Sequence, residues 1–358
     1  MNKFTVIGTC GHGSSGDVLR AKRWMTGEEV AIKKLTRQRF RQGFDEVLLL
    51  REVQALRRLR HVNIIPLKEI IRELDCVLLV FEYLQTSLHQ WIKSRILSKA
   101  GYPSEAFLST IGHKILLGLC HMHGHDFVHR DLKPMNVLMT EDAAVLKIAD
   151  FGSARQISRT GSRGRHVQQQ QQEQLTGYVA TRWYRAPELL LRSPKYHAAV
   201  DVWAFGCTLA ETCMMQPLFP GSSEIDQLHR ITTVLGTPNA AAWREGLELK
   251  QKQQQQQHRH AQAPADGAAP ADGGFTKCTP LPLAKVVPPA SERLLDLLSS
   301  MLQWDPKRRP SAAQAVRHSF FRSSSLAQNP VAQLSTRWRA ALSRWVQRAT
   351  MRTVSLQG

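Results

Sequence analysis

The sequence predicts an α+β protein with two lobes, a small lobe built on an antiparallel sheet and a larger lobe built of helices. Short apolar runs with strand-like composition crowd into the first part of the chain, up to residue 84. Runs with helical periodicity dominate the rest, at 104–123, 201–214, 223–235 and 291–303. The chain has 358 residues, which is enough to build both lobes.

The first two strands are predicted to form a β-hairpin around a glycine-rich segment. The runs "KFTVIGTC" and "DVLRAKRW" flank "CGHGSSGDV", which places Gly11, Gly13 and Gly16 in G-x-G-x-x-G spacing before Val18. Glycines at such positions let the backbone approach a phosphate group. Dinucleotide-binding loops share the spacing, but they join a strand to a helix, so the hairpin context argues against that alternative.

A third strand is predicted at 28–34, where "EEVAIKK" contains Lys33. Its neighbour Lys34 should point to the opposite face of the sheet, because side chains alternate along a strand. A buried strand at 76–84, "CVLLVFEYL", should then lead into the connection between the lobes.

A helix is predicted at 45–61, between the third strand and the strand at 76–84. Its apolar residues fall on one face at helical spacing, namely Leu49, Val53, Leu56 and Leu59. The helix carries Glu52, which we expect to form an ion pair with Lys33. Glu46 is the competing carboxylate.

Three tracts in the larger lobe give the strongest chemical signal: "FVHRDLKPMNVL" at 127–138, "KIADFG" at 147–152 and "ATRWYRAPE" at 180–188. Asp131 can accept or orient the proton of a hydroxyl group, and Lys133 can reach a transferring phosphate. Asn136 and Asp150 supply the hard oxygen ligands that Mg²⁺ prefers. An isolated Asp near a Lys is usually a surface ion pair, but the ordered set argues for phosphoryl transfer.

Together these tracts resemble the catalytic loop, the metal-binding loop and the end of the activation segment of protein kinases. The resemblance implies a bilobal protein kinase fold at 1–321, with a small lobe at 1–82, a hinge at 83–88 and a large lobe at 89–321. It implies transfer of the ATP γ-phosphate, with Mg²⁺, to Ser or Thr of protein substrates. Phe81 would be the gatekeeper of an ATP site composed of Gly11, Gly13, Gly16, Val18, Ala31, Lys33, Phe81, Glu82, Leu84 and Leu138. An ion pair between Glu188 and Arg309 would be structural.

The segment "LTGYVATRWYRAPELL" and the later "LGTP" at 235–238 resemble the CMGC group of protein kinases. Some tracts, such as "LLLREVQAL", resemble the male-germ-cell-associated and long-flagella kinases. Others, such as "FTKCTPLPLAKVVP", are similar to the cell-cycle-related kinase, a cyclin-dependent-like relative. Both branches imply a role in cilium or flagellum length or in the cell cycle. The PSTAIRE signature is replaced by "VLLLREV", so a cyclin-like partner stays open.

The "TGY" at 176–178 resembles the Thr-x-Tyr site of mitogen-activated kinases, with Thr176 and Tyr178 as phosphorylation sites for an upstream kinase. The arginines placed to bind a phosphate on Thr176 are Arg51, Arg130 and Arg155. Arg182 and Arg185 are placed to receive a phosphate on Tyr178. Arg185 also resembles the arginine of the group that favours proline directly after the target Ser or Thr.

Two low-complexity inserts, 159–174 and 239–276, lack an apolar pattern, so we expect both to be disordered. The net charge is +19, and the basic tail at 322–358 contains an amphipathic run. That run is either a helix docked on the core or a target helix for a membrane surface or a calmodulin-like protein. Charge alone predicts no specific nucleic-acid partner, because no nucleic-acid module is visible.

No run is long and apolar enough to span a membrane, and the chain opens directly on a strand, so we expect no signal peptide. The six cysteines form no CxxC pair. We therefore expect reduced thiols and a location in the cytoplasm or nucleus, with the cilium or flagellum implied by the resemblance. The alternative to an active enzyme is a catalytically inactive scaffold with a kinase fold.

Overall fold

The computed structural model describes residues 3–13, 16–36, 44–73, 76–157, 182–194, 196–260 and 275–322. These residues form a small lobe with an antiparallel sheet and a larger, mostly helical lobe. The predicted fold class is confirmed. Thr176, Tyr178, the first insert and the basic tail after Arg322 lie outside the described residues.

The small lobe is a five-stranded antiparallel sheet with strand order β1-β2-β3-β5-β4. Its strands are β1 Phe4–Gly13, β2 Gly16–Arg23, β3 Glu29–Thr36, β4 Leu67–Arg72 and β5 Cys76–Glu82. Ala21, Val30, Ile32, Leu78 and Val80 are buried together on one face. Because side chains alternate along each strand, Lys33 and its row face the other side.

Helix α1, Phe44–Arg58, packs beside this sheet. Its buried side includes Leu56, and Leu59, which follows the end of the helix, is buried as well; both belong to the predicted apolar stripe. The helix ends three residues before the predicted end at His61. A turn follows at once, in which Ile64 N–H donates to the His61 carbonyl, so the chain cannot continue as a helix.

The larger lobe contains the remaining α-helices of the described residues. These are α2 Leu88–Leu97, α3 Glu105–Gly124, α4 Pro187–Leu190, α5 Ala199–Met214, α6 Glu224–Leu235, α7 Ala240–His260, α8 Leu283–Val286, α9 Glu292–Met301 and α10 Ala312–Ala315. Every residue from Val200 to Met214 is buried, so α5 is the central helix of this lobe. Ser87, Ser104, Ser223 and Ser291 cap the starts of α2, α3, α6 and α9 with their hydroxyls.

Short strands between the lobes carry the loops of chemical interest. Strands β6 Thr86–Ser87, β8 Val137–Met139 and β9 Leu146–Ile148 form one small antiparallel sheet. Strand β7, Phe127–Val128, pairs with β10, Arg155–Gln156. The catalytic-loop tract therefore lies between β7 and β8, and the Asp-Phe-Gly tract lies between β9 and β10.

The predicted disorder of the second insert is wrong for residues 240–260, which form α7 with a kink at Trp243. Gln, Lys and Glu are good helix formers, so a glutamine run can extend a helix that is already started. Trp243 and Leu247 are buried, and Trp243 stacks on Trp304, with 6.0 Å between ring centroids. These apolar residues anchor the start of the helix. Residues 261–274 lie outside the described structure.

None of the helices in the described ranges combines the length and the apolar composition that a membrane-spanning segment requires.

Candidate active site

Lys33 is buried at the centre of the cleft between the lobes. Its Nζ donates to both carboxylate oxygens of Glu52, at 2.9 and 3.1 Å, and to Asp150 Oδ1 at 3.3 Å. The predicted ion pair with Glu52 is confirmed, and the Glu46 side chain lies outside the described part of α1. Burial alone would lower the pKa of Lys33, but Asp150 and Glu52 raise it above its usual value. The ammonium group is therefore charged at neutral pH.

The loop after β7 brings Asp131, Lys133 and Asn136 together. Lys133 Nζ donates to Asp131 Oδ2 at 2.9 Å. Asn136 Nδ2 donates to the Asp131 carbonyl at 2.8 Å and to its Oδ2 at 3.1 Å. One oxygen of the Asp131 carboxylate thus holds two partners, which fixes its orientation toward the cleft.

Asp201, at the start of α5, holds this loop in place. It is fully buried and accepts hydrogen bonds from the backbone N–H groups of His129 and Arg130, both at 2.8 Å. Arg130 has φ 70°, a strained value for a residue with a side chain, and these hydrogen bonds hold it there. Burial opposes ionisation of Asp201, but the hydrogen bond from His123 lowers its pKa.

His129 couples the catalytic loop to the Asp-Phe-Gly tract. Its Nδ1 accepts from the Asp131 N–H at 3.3 Å, so Nε2 carries the proton and donates to the Ala149 carbonyl at 3.0 Å. The ring also lies edge-on to Phe151, with 5.3 Å between centroids. The sequence prediction missed the roles of His129 and Asp201. The signal available for Asp201 was a carboxylate opening an otherwise apolar helix.

The glycine-rich hairpin forms the roof of the cleft. Gly11 lies opposite Val18, and Gly13 lies opposite Gly16. A Cβ added at Gly11 would meet no atom of the described residues within 4 Å, so the backbone there is open on that side. That space suits a phosphate-bearing ligand.

The other predicted ATP-site residues lie below this roof. Val18, Lys33 and Leu79 are directly opposite one another in β2, β3 and β5, and Ala31 is opposite Phe81. Phe81 and Leu84 are buried, and Leu138 is half-buried in β8. Glu82 ends β5, and its carboxylate pairs with Lys147 at 3.2 Å.

Asn136 and Asp150 fit the oxygen-rich ligand set that Mg²⁺ requires. The Ala149 N–H donates to the Asn136 carbonyl at 2.8 Å, so the two candidate ligands lie on adjacent segments. The side-chain nitrogen of Asn136, Nδ2, donates to Asp131. The amide oxygen of the same side chain therefore points away from Asp131. Asp150 has φ 61°, which turns its carboxylate toward the cleft and Lys33.

The segment Arg182–Tyr184 is fixed against the larger lobe. Tyr184 Oη donates to the buried carboxylate of Glu211 at 2.6 Å. Burial raises the pKa of Glu211 to about 7, although the hydrogen bond from Tyr184 opposes this. Trp183 Nε1 donates to the Gly221 carbonyl at 3.0 Å. Arg185 lies 3.8 Å from Glu224 at the start of α6.

The predicted structural ion pair is confirmed. Arg309 donates to both carboxylate oxygens of Glu188, at 2.6 and 2.8 Å, and the two side chains are buried. This bidentate pair joins α4 to the turn after α9.

The predicted phosphate-binding arginines occupy three neighbouring segments. Arg51 is half-buried on α1. Arg155 lies opposite Val128 in the β7–β10 pair, and Val128 precedes Arg130 by two residues. Arg130 lies over the Tyr196 ring, 5.0 Å from its centroid. Among the described residues its buried Nε has no hydrogen-bond partner.

Residues 4–321 match the family model described as "Protein kinase domain". The serine/threonine-protein kinase MAK of Homo sapiens is 41% identical over 321 residues, which are 90% of this chain and 46% of that protein. The serine/threonine-protein kinase ICK of Rattus norvegicus is also 41% identical, over 90% of this chain and 45% of its own length. The cyclin-dependent kinase F-4 of Oryza sativa subsp. japonica is 38% identical, over 90% of this chain and 62% of its own length.

The chain therefore belongs to the protein kinase family, and these relatives place it in the CMGC group. The predicted family resemblance is confirmed. The chain spans about half the length of the curated relatives MAK and ICK that it matches.

Proposed function

We propose that this chain is an ATP-dependent protein kinase that phosphorylates Ser and Thr. The observation that carries the proposal is the assembled ion pair of Lys33 with Glu52, with Asp150 at the same ammonium group. Burial of these charges carries a desolvation cost, so their assembly at one ammonium group argues for a catalytic role over a purely structural one. The names of the relatives MAK and ICK support the choice of Ser and Thr.

We assign each residue a part in phosphoryl transfer, which depends on positioning and charge neutralisation. Lys33, held by Glu52, would bind the phosphates under the glycine-rich roof. Asp131 would accept or orient the proton of the substrate hydroxyl. Lys133, 2.9 Å from Asp131, would neutralise charge on the transferring phosphoryl group.

Mg²⁺, held by Asn136 and Asp150, would supply further neutralisation of the phosphate charge. The chain's own contribution is to hold these two oxygen donors on adjacent segments. The hydrogen bonds between Asn136 and Asp131 link the metal site to the residue that receives the hydroxyl proton.

We further propose a preference for proline directly after the target Ser or Thr. The support for this preference is Arg185, which lies in the tract that resembles CMGC kinases. Its side chain is half-buried and lies near Glu224. The expected contact is with backbone near Val179, which lies outside the described residues. Proline lacks an N–H, so it leaves no donor unpaired where the backbone offers no acceptor. The name of the Oryza relative also supports testing a cyclin-like partner.

Phosphotransfer from labelled ATP to a Ser-Pro peptide tests the proposal, with Asp131→Asn as the inactive control. A second peptide with Ala in place of Pro tests the specificity. We expect kcat/KM to fall roughly tenfold or more without the proline, because an unpaired N–H costs about 1–3 kcal/mol. Wild-type turnover no greater than that of Asp131→Asn would support the scaffold instead. Equal turnover of both peptides would remove the proline preference alone.

A further inference from the structure

Arg20 lies in the same cross-strand row as two residues of the predicted adenine site. It is directly opposite Ala31, which is opposite Phe81 in the next strand. Residues opposite one another in an antiparallel sheet point to the same face. Arg20 therefore shares the cleft face with Val18 and Lys33, and it lies at the outer end of that face.

The Arg20 side chain crosses from β2 to the connection between the lobes. Its Cζ lies 4.6 Å from the centroid of the Tyr83 ring, immediately after β5. Its Nε and Nη2 both donate to Glu29 Oε2, at 3.0 and 2.7 Å. Glu29 thus fixes the guanidinium over the ring, and a guanidinium stacked on an aromatic face is a favourable arrangement.

We propose that Arg20 and Tyr83 form the outer wall of the nucleotide pocket and hold the connecting segment against β2 when the nucleotide binds. This proposal rests on the proposed function, because it concerns the ATP site. Arg20 is a positioning residue: it acts through Tyr83, whose neighbours Glu82 and Leu84 belong to the predicted adenine-binding segment. Loss of the Arg20 side chain weakens nucleotide binding and leaves the rate of the chemical step unchanged.

The same sheet offers a matched control. Arg23 also stacks on a ring, with its Cζ 4.9 Å from the Phe4 centroid, and it also pairs with glutamates, Glu28 and Glu69. Arg23 lies three positions after Arg20 in β2, so the two side chains lie on opposite faces of the sheet. Arg23→Ala removes a similar set of contacts without touching the cleft.

Binding of Mg–ADP by isothermal titration calorimetry gives a readout that does not require turnover. We expect Arg20→Ala and Tyr83→Leu each to weaken binding about three- to tenfold, the range of cation–π contacts at partly exposed sites. The double variant should bind no more weakly than the singles, because both changes break one contact. Tyr83→Phe, which keeps the ring, should bind more tightly than Tyr83→Leu.

In turnover assays the loss should appear in KM for ATP, with KM for the peptide and kcat little changed. Arg20→Ala that binds Mg–ADP like wild type, or no worse than Arg23→Ala, would overturn the wall assignment. Tight binding of Mg–ADP by a wild-type chain that transfers no phosphate would overturn the proposed function and leave this inference to be judged by the binding data. A wild-type chain that does not bind Mg–ADP would overturn both.

Discussion

Lys33 and Lys34 are neighbours in one strand, yet their surroundings differ completely. Lys33 is buried beside Glu52 and Asp150, whereas Lys34 is exposed on the other face. Both residues have the same chemistry, so only the register of β3 decides which one serves the cleft. The alternation of side chains along the predicted strand placed Lys34 on the face opposite Lys33, and the structure confirms this.

Lys33→Met should reduce phosphotransfer by at least about a hundredfold, since loss of one such electrostatic contact costs about 3 kcal/mol or more in the transition state. Asp150→Asn should have a comparable effect, because it removes the charge that Lys33 and a bound cation both require. The fold should persist, because Met keeps the apolar stem of the lysine. Initial rates with saturating peptide, together with thermal unfolding curves, measure both expectations.

Lys34→Met is the matched control, since it makes the same substitution one residue away on the exposed face. Its rate should stay within about threefold of wild type, as is usual for surface substitutions. If the rate falls with Lys34→Met and survives Lys33→Met, the register of the strand is off by one.

At the scale of elements, local pattern predicted the helices and strands well, but it failed for α7. The glutamine run at 251–257 has no apolar periodicity, and low-complexity composition argued for disorder. The composition did not show that Trp243 and Leu247, near the start of the helix, bury their side chains against the lobe and so anchor it. Glutamine then extends the helix at little cost.

Contacts between distant elements were harder to predict than the motif residues themselves. The pairs Tyr184–Glu211 and Arg20–Tyr83 each join residues that are remote in sequence. No spacing rule links such residues, because their approach depends on how whole elements pack. Asp201 could be located at the start of α5, but its hydrogen bonds to the catalytic loop depend on the position of that loop.

Glu211→Gln should change the pH dependence of stability. The folded-state pKa of about 7 lies above the ordinary value of 4.5, so burial favours the protonated carboxyl. Its contribution to stability is therefore present below pH 4.5 and is lost as pH rises through 7. Between pH 5 and 8 the free energy of unfolding of wild type should fall by about 2–3 kcal/mol relative to the glutamine variant.

Urea unfolding of both proteins at several pH values measures this difference, and Tyr184→Phe is the companion variant. Without the Tyr184 hydroxyl the carboxylate loses the hydrogen bond that favours ionisation, so the same pH-dependent loss should grow. A difference between wild type and Glu211→Gln that stays constant from pH 5 to 8 would show that Glu211 does not titrate in this range.

At the scale of the whole molecule, polar contacts between described residues join the two lobes around the cleft. Lys147, in β9, pairs with Glu82 at the end of β5 and donates to the Val62 carbonyl at 3.1 Å. Lys33 and Glu52 are in the small lobe, whereas Asp150 is in the larger lobe. The contact between Lys33 and Asp150 therefore depends on the distance between the lobes. Any signal that fixes α1 relative to the catalytic loop therefore changes the site itself.

We expect phosphorylation of Thr176 to provide such a signal, with Tyr178 as a second site. A phosphate adds close to two negative charges and three acceptor oxygens, and it orders a segment when arginines converge on it. Arg51 precedes Glu52 on α1, while Arg130 and Arg155 lie on neighbouring segments of the larger lobe. Bidentate bonds from these arginines to one phosphate would hold Glu52 toward Lys33. The buried Nε of Arg130, unpartnered among the described residues, is suited to such a ligand.

Thr176→Ala should therefore lower activity at least about tenfold, since phosphate–arginine bonds contribute about 1.5–3 kcal/mol each. Mass spectrometry must first confirm that wild type is phosphorylated at Thr176.

Arg130→Lys should lower the activity of the phosphorylated enzyme but change the unphosphorylated enzyme much less, because lysine keeps the charge and loses the bidentate geometry. Tyr178→Phe should cause a smaller loss, and Thr110→Ala, which removes a hydroxyl that donates to the Ala106 carbonyl within α3, serves as the control. Full activity of Thr176→Ala would mean that α1 is held in place without a phosphate, and that the ion pair of Lys33 forms from packing alone.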